Sequence, residues 1–207
     1  QPLKGIKVLD LGHYIAGPYC GKLMADMGAE VIKIEPPSGE PGRRLAPFIQ
    51  DKPSLDSSLP FFYLNSNKKG ITINLKTENG ISILKDFIKK TDVIIENFSP
   101  GTLNNLGIGY DTIHSINPSA VVVSISNFGQ TGPYKDYKAT EIIEYALGGL
   151  MGIFGAYDKP PIKHALNQAQ IKAGTNAANA ALMAVYWSKL NGKGQHIDVS
   201  IHECIAY

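Results

Sequence analysis

Residues 6–35 read IKVLDLGHYIAGPYCGKLMADMGAEVIKIE, and this stretch decides the fold. Residues 6–11 (IKVLDL) are a short apolar run bounded by Gly5 and Gly12, the pattern of a buried strand. Residues 12–17 form a loop. Residues 18–27 then carry Leu23 and Met27 at helical spacing, and Gly28 closes that helix. Residues 29–35 (AEVIKIE) return to strand character and stop at Pro36-Pro37. Strand, helix and strand within roughly 30 residues is the size of a right-handed parallel crossover.

The same alternation continues outward. Residues 36–60 are rich in Pro, Gly, Ser and Asp and read as a long surface loop, a feature that is often functional. Residues 71–75 (ITINL) alternate as a strand, and Thr77 is placed to cap a helix over 78–90 with Ile81, Leu84 and Ile88 on one face. Residues 92–98 (DVIIENF) form the next strand, 110–116 a short helix ended by Pro118, and 120–126 (AVVVSIS) a strongly apolar, central strand. An apolar helix is expected over 141–153. A long helix over 168–190 follows, whose Ala173, Ala177, Ala178, Ala180, Ala181 and Ala184 let another backbone approach closely. Asn191-Gly192 ends it, and residues 195–201 (QHIDVSI) alternate as a strand. Strands alternating with helices give an α/β class: a doubly wound, mainly parallel sheet with helices on both faces.

Twenty basic and 18 acidic residues leave a net charge of +2, so no bulk charge draws the chain to nucleic acid or an anionic membrane. No stretch approaches the roughly 20 apolar residues of a membrane helix. Two cysteines far apart, Cys20 and Cys204, do not make a disulfide framework and suit a reducing cytoplasm. The apolar run over 201–207 reads as a segment that continues into further structure, so a fragment of a longer chain is expected.

Open parallel sheets bind ligands at the carboxyl ends of their strands, near the switch in strand order. Those ends are residues 13–18, the loop from Pro36, Lys76-Thr77, 97–100 and 127–129. Gly17 allows close backbone approach, and Pro18 suits the first turn of a helix whose free N–H groups could meet an anion; an ordinary strand-to-helix turn would look the same. No GxGxxG follows the first strand, no GxxxxGK[ST] marks a P-loop and no GxSxG marks a hydrolase elbow. His13, His114, His164, His196 and His202 are scattered without metal-ligand spacing. His202 and Cys204 would share one face of a strand, a weak Cys/His signal. Lys68-Lys69 is either a solvated pair or an anion site.

Six segments in order resemble the family III CoA-transferases of the CaiB/BaiF type, which include formyl-CoA transferase, carnitine CoA-transferase and α-methylacyl-CoA racemase relatives. They are residues 2–11 running into Ala16-Gly17-Pro18; 23–35; Asn65-Ser66-Asn67-Lys68-Lys69 with 73–76; 92–98 with Pro100-Gly101; Leu106-Gly107 through Asn117-Pro118; and 191–195 into Asp198-Val199-Ser200. The resemblance covers essentially the whole chain. It implies a Rossmann-like N-terminal domain over 1–207 that binds CoA or acyl-CoA as substrate, with no permanently bound cofactor. The positions it assigns to CoA binding are His13, Ala16, Gly17, Lys76, Asn97, Phe98 and Lys138. It also implies a longer whole protein that transfers CoA between an acyl-CoA and a carboxylic acid, as an interlocked homodimer or a pseudo-dimer with a homologous half.

One departure matters. The family carries the acyl group on an aspartate near the start of the long helix. Counting back from Gly192-Lys193-Gly194-Gln195, that place falls on Gln170, and residues 167–171 (NQAQI) hold no acid. A neutral amide is a very poor nucleophile, so the covalent step should fail there. The racemase pattern also requires an upstream histidine, which residues 139–141 (ATE) lack; Glu141 is the nearest acid in sequence and reads as an ordinary helix carboxylate. The readings that follow are a first half that binds CoA while another half reacts, a complete transferase whose chemistry comes from residues beyond 207, a non-catalytic scaffold or pairing subunit, and an acyl-CoA racemase.

Overall fold

The computed structural model describes residues 1–206. Strand β1 (Lys7–Asp10), helix α1 (Ala16–Asp26) and strand β2 (Glu30–Glu35) form the expected first crossover. They are followed by α2 (Leu59–Asn65), β3 (Lys69–Thr72), α3 (Glu78–Ile88), β4 (Val93–Glu96), α4 (Thr102–Asn105), α5 (Tyr110–Ile116) and β5 (Val121–Ser126). The last third holds α6 (Glu141–Leu147), α7 (Gln168–Asn191), β6 (His196–Ser200) and α8 (Ile201–Ala206). The six strands form one sheet in the order β3-β2-β1-β4-β5-β6, and every pairing is parallel.

Each interior strand serves two cores because successive side chains point to opposite faces. Val8, Val93, Ile95, Val121, Val123 and Ile125 meet α1 and α7 on one face. Leu9, Ile94 and Val122 meet α3 and α5 on the other, through Leu84, Ile88 and Ile113. All six residues of β5 are buried, which explains why only Ser124 and Ser126 interrupt its apolar run, although β5 lies one strand in from the edge and β1 and β4 take the centre. The alanine face of α7 packs on α1 as its composition implies. A side chain at Gly174 would meet the Ala16 carbonyl at 2.7 Å, so the two backbones close to a distance only glycine allows there.

Four local expectations are corrected. Residues 36–60 hold 3-10 turns at Pro41–Arg44 and Ile49–Asp51, and α2 starts before their end, capped by Ser58 Oγ accepting from Phe61 N. The strand expected at 71–75 lies at Lys69–Thr72, because pairing of Ile32 with Lys69 through Glu35 with Thr72 fixes the register, and Asn74 then turns the chain. The helix expected over 141–153 stops at Leu147, where Gly148 and Gly149 interrupt it; Gly149 takes φ +85° ahead of a separate 3-10 turn, Leu150–Gly152. His202 and Cys204 sit on α8, a helix, so residues two apart do not share a face. No helix among the described residues is long and apolar enough to cross a membrane.

Candidate functional site

Order reverses between β1 and β4: β1 leads to β2 and β3, while β4 leads to β5 and β6. Their carboxyl ends are tied together by Leu11 N donating to Ile95 O at 2.8 Å. Just beyond, His13 N donates to Asn97 Oδ1 at 2.6 Å, and Asn97 Nδ2 donates to His13 O at 2.8 Å. Asn97 is thus a clamp on the β1–α1 loop rather than a free amide. Gly12 and Gly17 face each other inside this loop; a Cβ on Gly17 would stand 2.9 Å from Gly12 Cα, so neither tolerates a side chain.

The loop rests on a buried charge cluster. Asp10 Oδ1 accepts from Gly12 N at 2.8 Å, and Asp10 Oδ2 accepts from Lys68 Nζ at 2.7 Å. Lys68 also donates to Pro18 O and Asn65 Oδ1, while Lys33 Nζ donates to Gly12 O and lies 3.6 Å from Asp10. Burial alone would raise the Asp10 carboxyl, but Lys33 and Lys68 overcome it and hold it below its ordinary value. Lys68 is therefore neither solvated nor a free anion site, and Lys69 pairs with Glu30 at 2.8 Å. The doublet reads as one feature in sequence because nothing local tells which lysine turns inward.

A cavity of about 950 Å³ opens beside this loop, from Tyr14, Asn97 and Phe98 across Ser126 to Lys138, Glu141 and Gln170. Of the residues expected to bind CoA, Asn97, Phe98 and Lys138 line it. His13 stands behind Phe98, their rings edge to face at 5.0 Å, and burial together with the Lys33 charge lowers its imidazole to about 4, so it is neutral near pH 7. Ala16 and Gly17 are buried at the start of α1 and shape the loop. Lys76 is elsewhere: it lines a separate groove of about 460 Å³ with Thr77, Lys85 and Asn105. Among the described residues, no group of three or more His, Cys, Asp or Glu is placed to hold a metal.

Gln170 reaches the cavity from the first turn of α7. Two carboxylates surround it that sequence reading did not assign to the site. Glu141 accepts from Ala169 N at 2.8 Å and Gln170 N at 3.2 Å, capping α7 in place of Asn167, whose side chain makes no cap bond. Glu144, 0% exposed, accepts from Gln170 Nε2 at 3.3 Å. Burial and then the Glu141 charge push Glu144 up to about 7. Ser126 Oγ, on a residue 7% exposed, lines the same cavity with no partner among the described residues. Glu141 and Glu144 come from 29 and 26 residues before Gln170 in the chain, a distance no local pattern bridges.

A third perturbed carboxyl underlies Phe98. Glu96 Oε2 accepts from Phe98 N at 2.8 Å, and burial raises Glu96 to about 7 although that bond and one from Ser124 oppose the rise. Glu96 and Glu144 thus keep protons that the unfolded chain releases above its ordinary carboxyl range. Their contribution is full below about pH 4.5 and is lost as pH rises through about 7, up to roughly 3 kcal/mol for each. Stability measured by urea unfolding is expected to fall between pH 5 and pH 8, the two carboxyls outweighing the lowered His13 and His196 imidazoles, which add stability as pH rises, and Glu96→Gln is expected to make that fall clearly shallower. An unchanged slope in the variant would show that Glu96 ionises normally.

The profile of CoA-transferase family III matches residues 3–207. The chain is 40% identical over 204 residues to a succinyl-CoA–D-citramalate CoA-transferase of Chloroflexus aurantiacus, covering 98% of this chain and 50% of that protein. It is 40% identical over 205 residues to a formyl-CoA:oxalate CoA-transferase of Streptomyces avermitilis, covering 99% of this chain and 49% of the relative. The crystal structure of a CaiB/BaiF family protein from Brucella suis superposes with a TM-score of 0.93 at 34% identity, covering 100% of this chain and 55% of the other. The chain spans about half the length of the curated relatives it matches.

Proposed function

Because the chain belongs to CoA-transferase family III, we propose that its switch-point cavity receives the acyl end of a CoA thioester and holds it without covalent attachment at residue 170. The observation that carries this reading is one cavity that joins Asn97 and Phe98, at the sheet's switch point, to Gln170 at the start of α7. Lys138 faces this cavity, while Lys76 and Lys85 line the groove between α3 and α4; the exposed Lys76 and Lys138 and the half-buried Lys85 are cations suited to phosphates at the nucleotide end. The relatives' names pair CoA thioesters with carboxylic acids, so the whole protein exchanges CoA between such partners, and this part supplies the binding. An amide at residue 170 can donate to a thioester carbonyl but offers no carboxylate to acylate.

Pairing with a second copy or a homologous half belongs to the same reading. Met183, Tyr186, Trp187 and Leu190 form a stripe on the outer face of α7, with Met183 68% and Tyr186 70% exposed. The two free, buried cysteines fit a reducing cytoplasm.

Calorimetric titration with CoA tests the proposal. The protein is expected to bind CoA, and Lys76→Glu and Lys138→Glu are each expected to weaken binding by roughly fivefold or more, with the effect shrinking at high salt. Absence of binding, or binding indifferent to both reversals, would reject the site.

A further inference from the structure

The wall behind Gln170 is an unbroken run of amide, carboxyl and amide. Oriented so that both of its ends are satisfied, the Asn127 amide donates to Glu144 Oε1 at 2.9 Å and accepts from Ala139 N at 2.9 Å. The Ala139 N–H fixes Asn127, so Glu144 Oε1 must remain an acceptor. Any proton on Glu144 therefore sits on Oε2, the oxygen facing Gln170. When Oε2 is unprotonated it draws the Gln170 NH2 group toward itself and leaves the Gln170 carbonyl toward the cavity. When Oε2 carries a proton it donates to Gln170 Oε1, and the amide turns its NH2 group outward.

We propose that Glu144 is a positioning residue for Gln170: through the proton on Oε2 it decides which end of the Gln170 amide faces the acyl cavity, and so whether a thioester carbonyl meets a donor or an acceptor. This rests on the reading that the cavity holds the acyl end of a CoA thioester. Acyl-CoA then binds best to the form in which Glu144 is protonated, whereas free CoA, with no carbonyl to place there, does not discriminate.

The charges around Glu144 permit this exchange near neutrality. On α6 itself Glu141 faces it and opposes its ionisation. Tyr145, next to it, bonds to His164 through its hydroxyl. Helix α7 presents the neutral Gln170, and α8 meets α6 with Ile205 against Gly148. Lys172 of α7 and Glu203 of α8 act on the Cys204 thiol, and His202 packs on Phe128. The turn Leu150–Gly152 carries no charge. Burial and Glu141 together bring Glu144 to about 7.

The test is titration of acetyl-CoA and of CoA into the protein at pH 6 and pH 8, read as the ratio of the two affinities. Glu96 also titrates near neutrality, but it bonds Phe98 N and not Gln170, so a pH dependence arising there would survive in both variants below. The wild-type ratio is expected to fall about fivefold from pH 6 to pH 8, the worth of one exchanged hydrogen bond. Glu144→Gln, which accepts from Asn127 and donates to Gln170 at every pH, is expected to hold the pH 6 ratio throughout. Gln170→Leu must also flatten the ratio, and it carries the test should Glu144→Gln unfold. A flat wild-type ratio, or a pH dependence that survives in either variant, overturns the proposal while CoA binding itself stands. If neither ligand binds at either pH, the reading of the cavity falls and the proposal with it.

Discussion

Gln170→Asp is expected to give the protein a covalent intermediate that the wild type does not form. The new carboxylate would project into the cavity from the first turn of α7, within the positive end of a 24-residue helix. Its attack on a thioester carbonyl would break the C–S bond, expel CoA as a thiolate and leave the acyl group as a mixed anhydride on the side chain. Hydroxylamine would convert that anhydride to a hydroxamate at residue 170. Positioned groups act at effective molarities of ~10⁵ M or more, so the hydroxamate is expected to exceed the wild-type background by at least about 100-fold. The buried Glu144, raised to about 7, assists below that pH, where its neutral form avoids a further charge beside the new one. The check is peptide mass analysis after incubation with acetyl-CoA or succinyl-CoA and hydroxylamine. A wild-type hydroxamate on the peptide holding residue 170 or Glu141 would show that the site already has a nucleophile. A variant that binds acyl-CoA and stays unlabelled would show that the thioester carbon lies elsewhere.

Asp10→Asn is expected to be the most damaging single change to stability. Asp10 is fully buried and balances two buried ammonium groups, Lys33 and Lys68. Removing the carboxylate leaves both charges in a low-dielectric interior, a loss of about 3–5 kcal/mol for breaking such a group from one side. Against a total stability of about 5–15 kcal/mol, that is a large fraction. Urea unfolding should show the loss as a lower midpoint, and Lys68→Met in the Asp10→Asn background should recover part of it by deleting one uncompensated charge. A cost under about 1 kcal/mol for Asp10→Asn would mean that the cluster is hydrated and contributes little. The cluster holds up the loop that Asn97 clamps, so a destabilised Asp10 variant should also lose CoA affinity.

Much of the fold was legible because its signals are local. The alternation of period in residues 6–35 places β1, α1 and β2, and Thr77 caps α3 as expected, accepting from Gly80 N at 3.1 Å. Ser58 followed by Pro60 was an available start signal for α2, hidden by the loop-like composition around it. The register of β3 was not legible, because pairing with β2 sets it. At the site, resemblance brought Asn97, Phe98, Lys138 and Gln170 to one cavity, while Lys76 falls in the neighbouring groove. The partners that decide the chemistry were invisible for a physical reason. Asp10 finds Lys68, Asn97 finds His13, and Gln170 finds Glu141 and Glu144 of α6 only once the chain is folded.

The most direct measurement of the central claim is a crystal structure of the protein with acetyl-CoA. The account predicts an intact thioester whose carbonyl oxygen lies within hydrogen-bond reach of the Gln170 amide, with the nucleotide running toward Lys76. An acyl group joined to Glu141 or another carboxylate of the cavity, or a CoA bound away from the β1–β4 switch point, would contradict it.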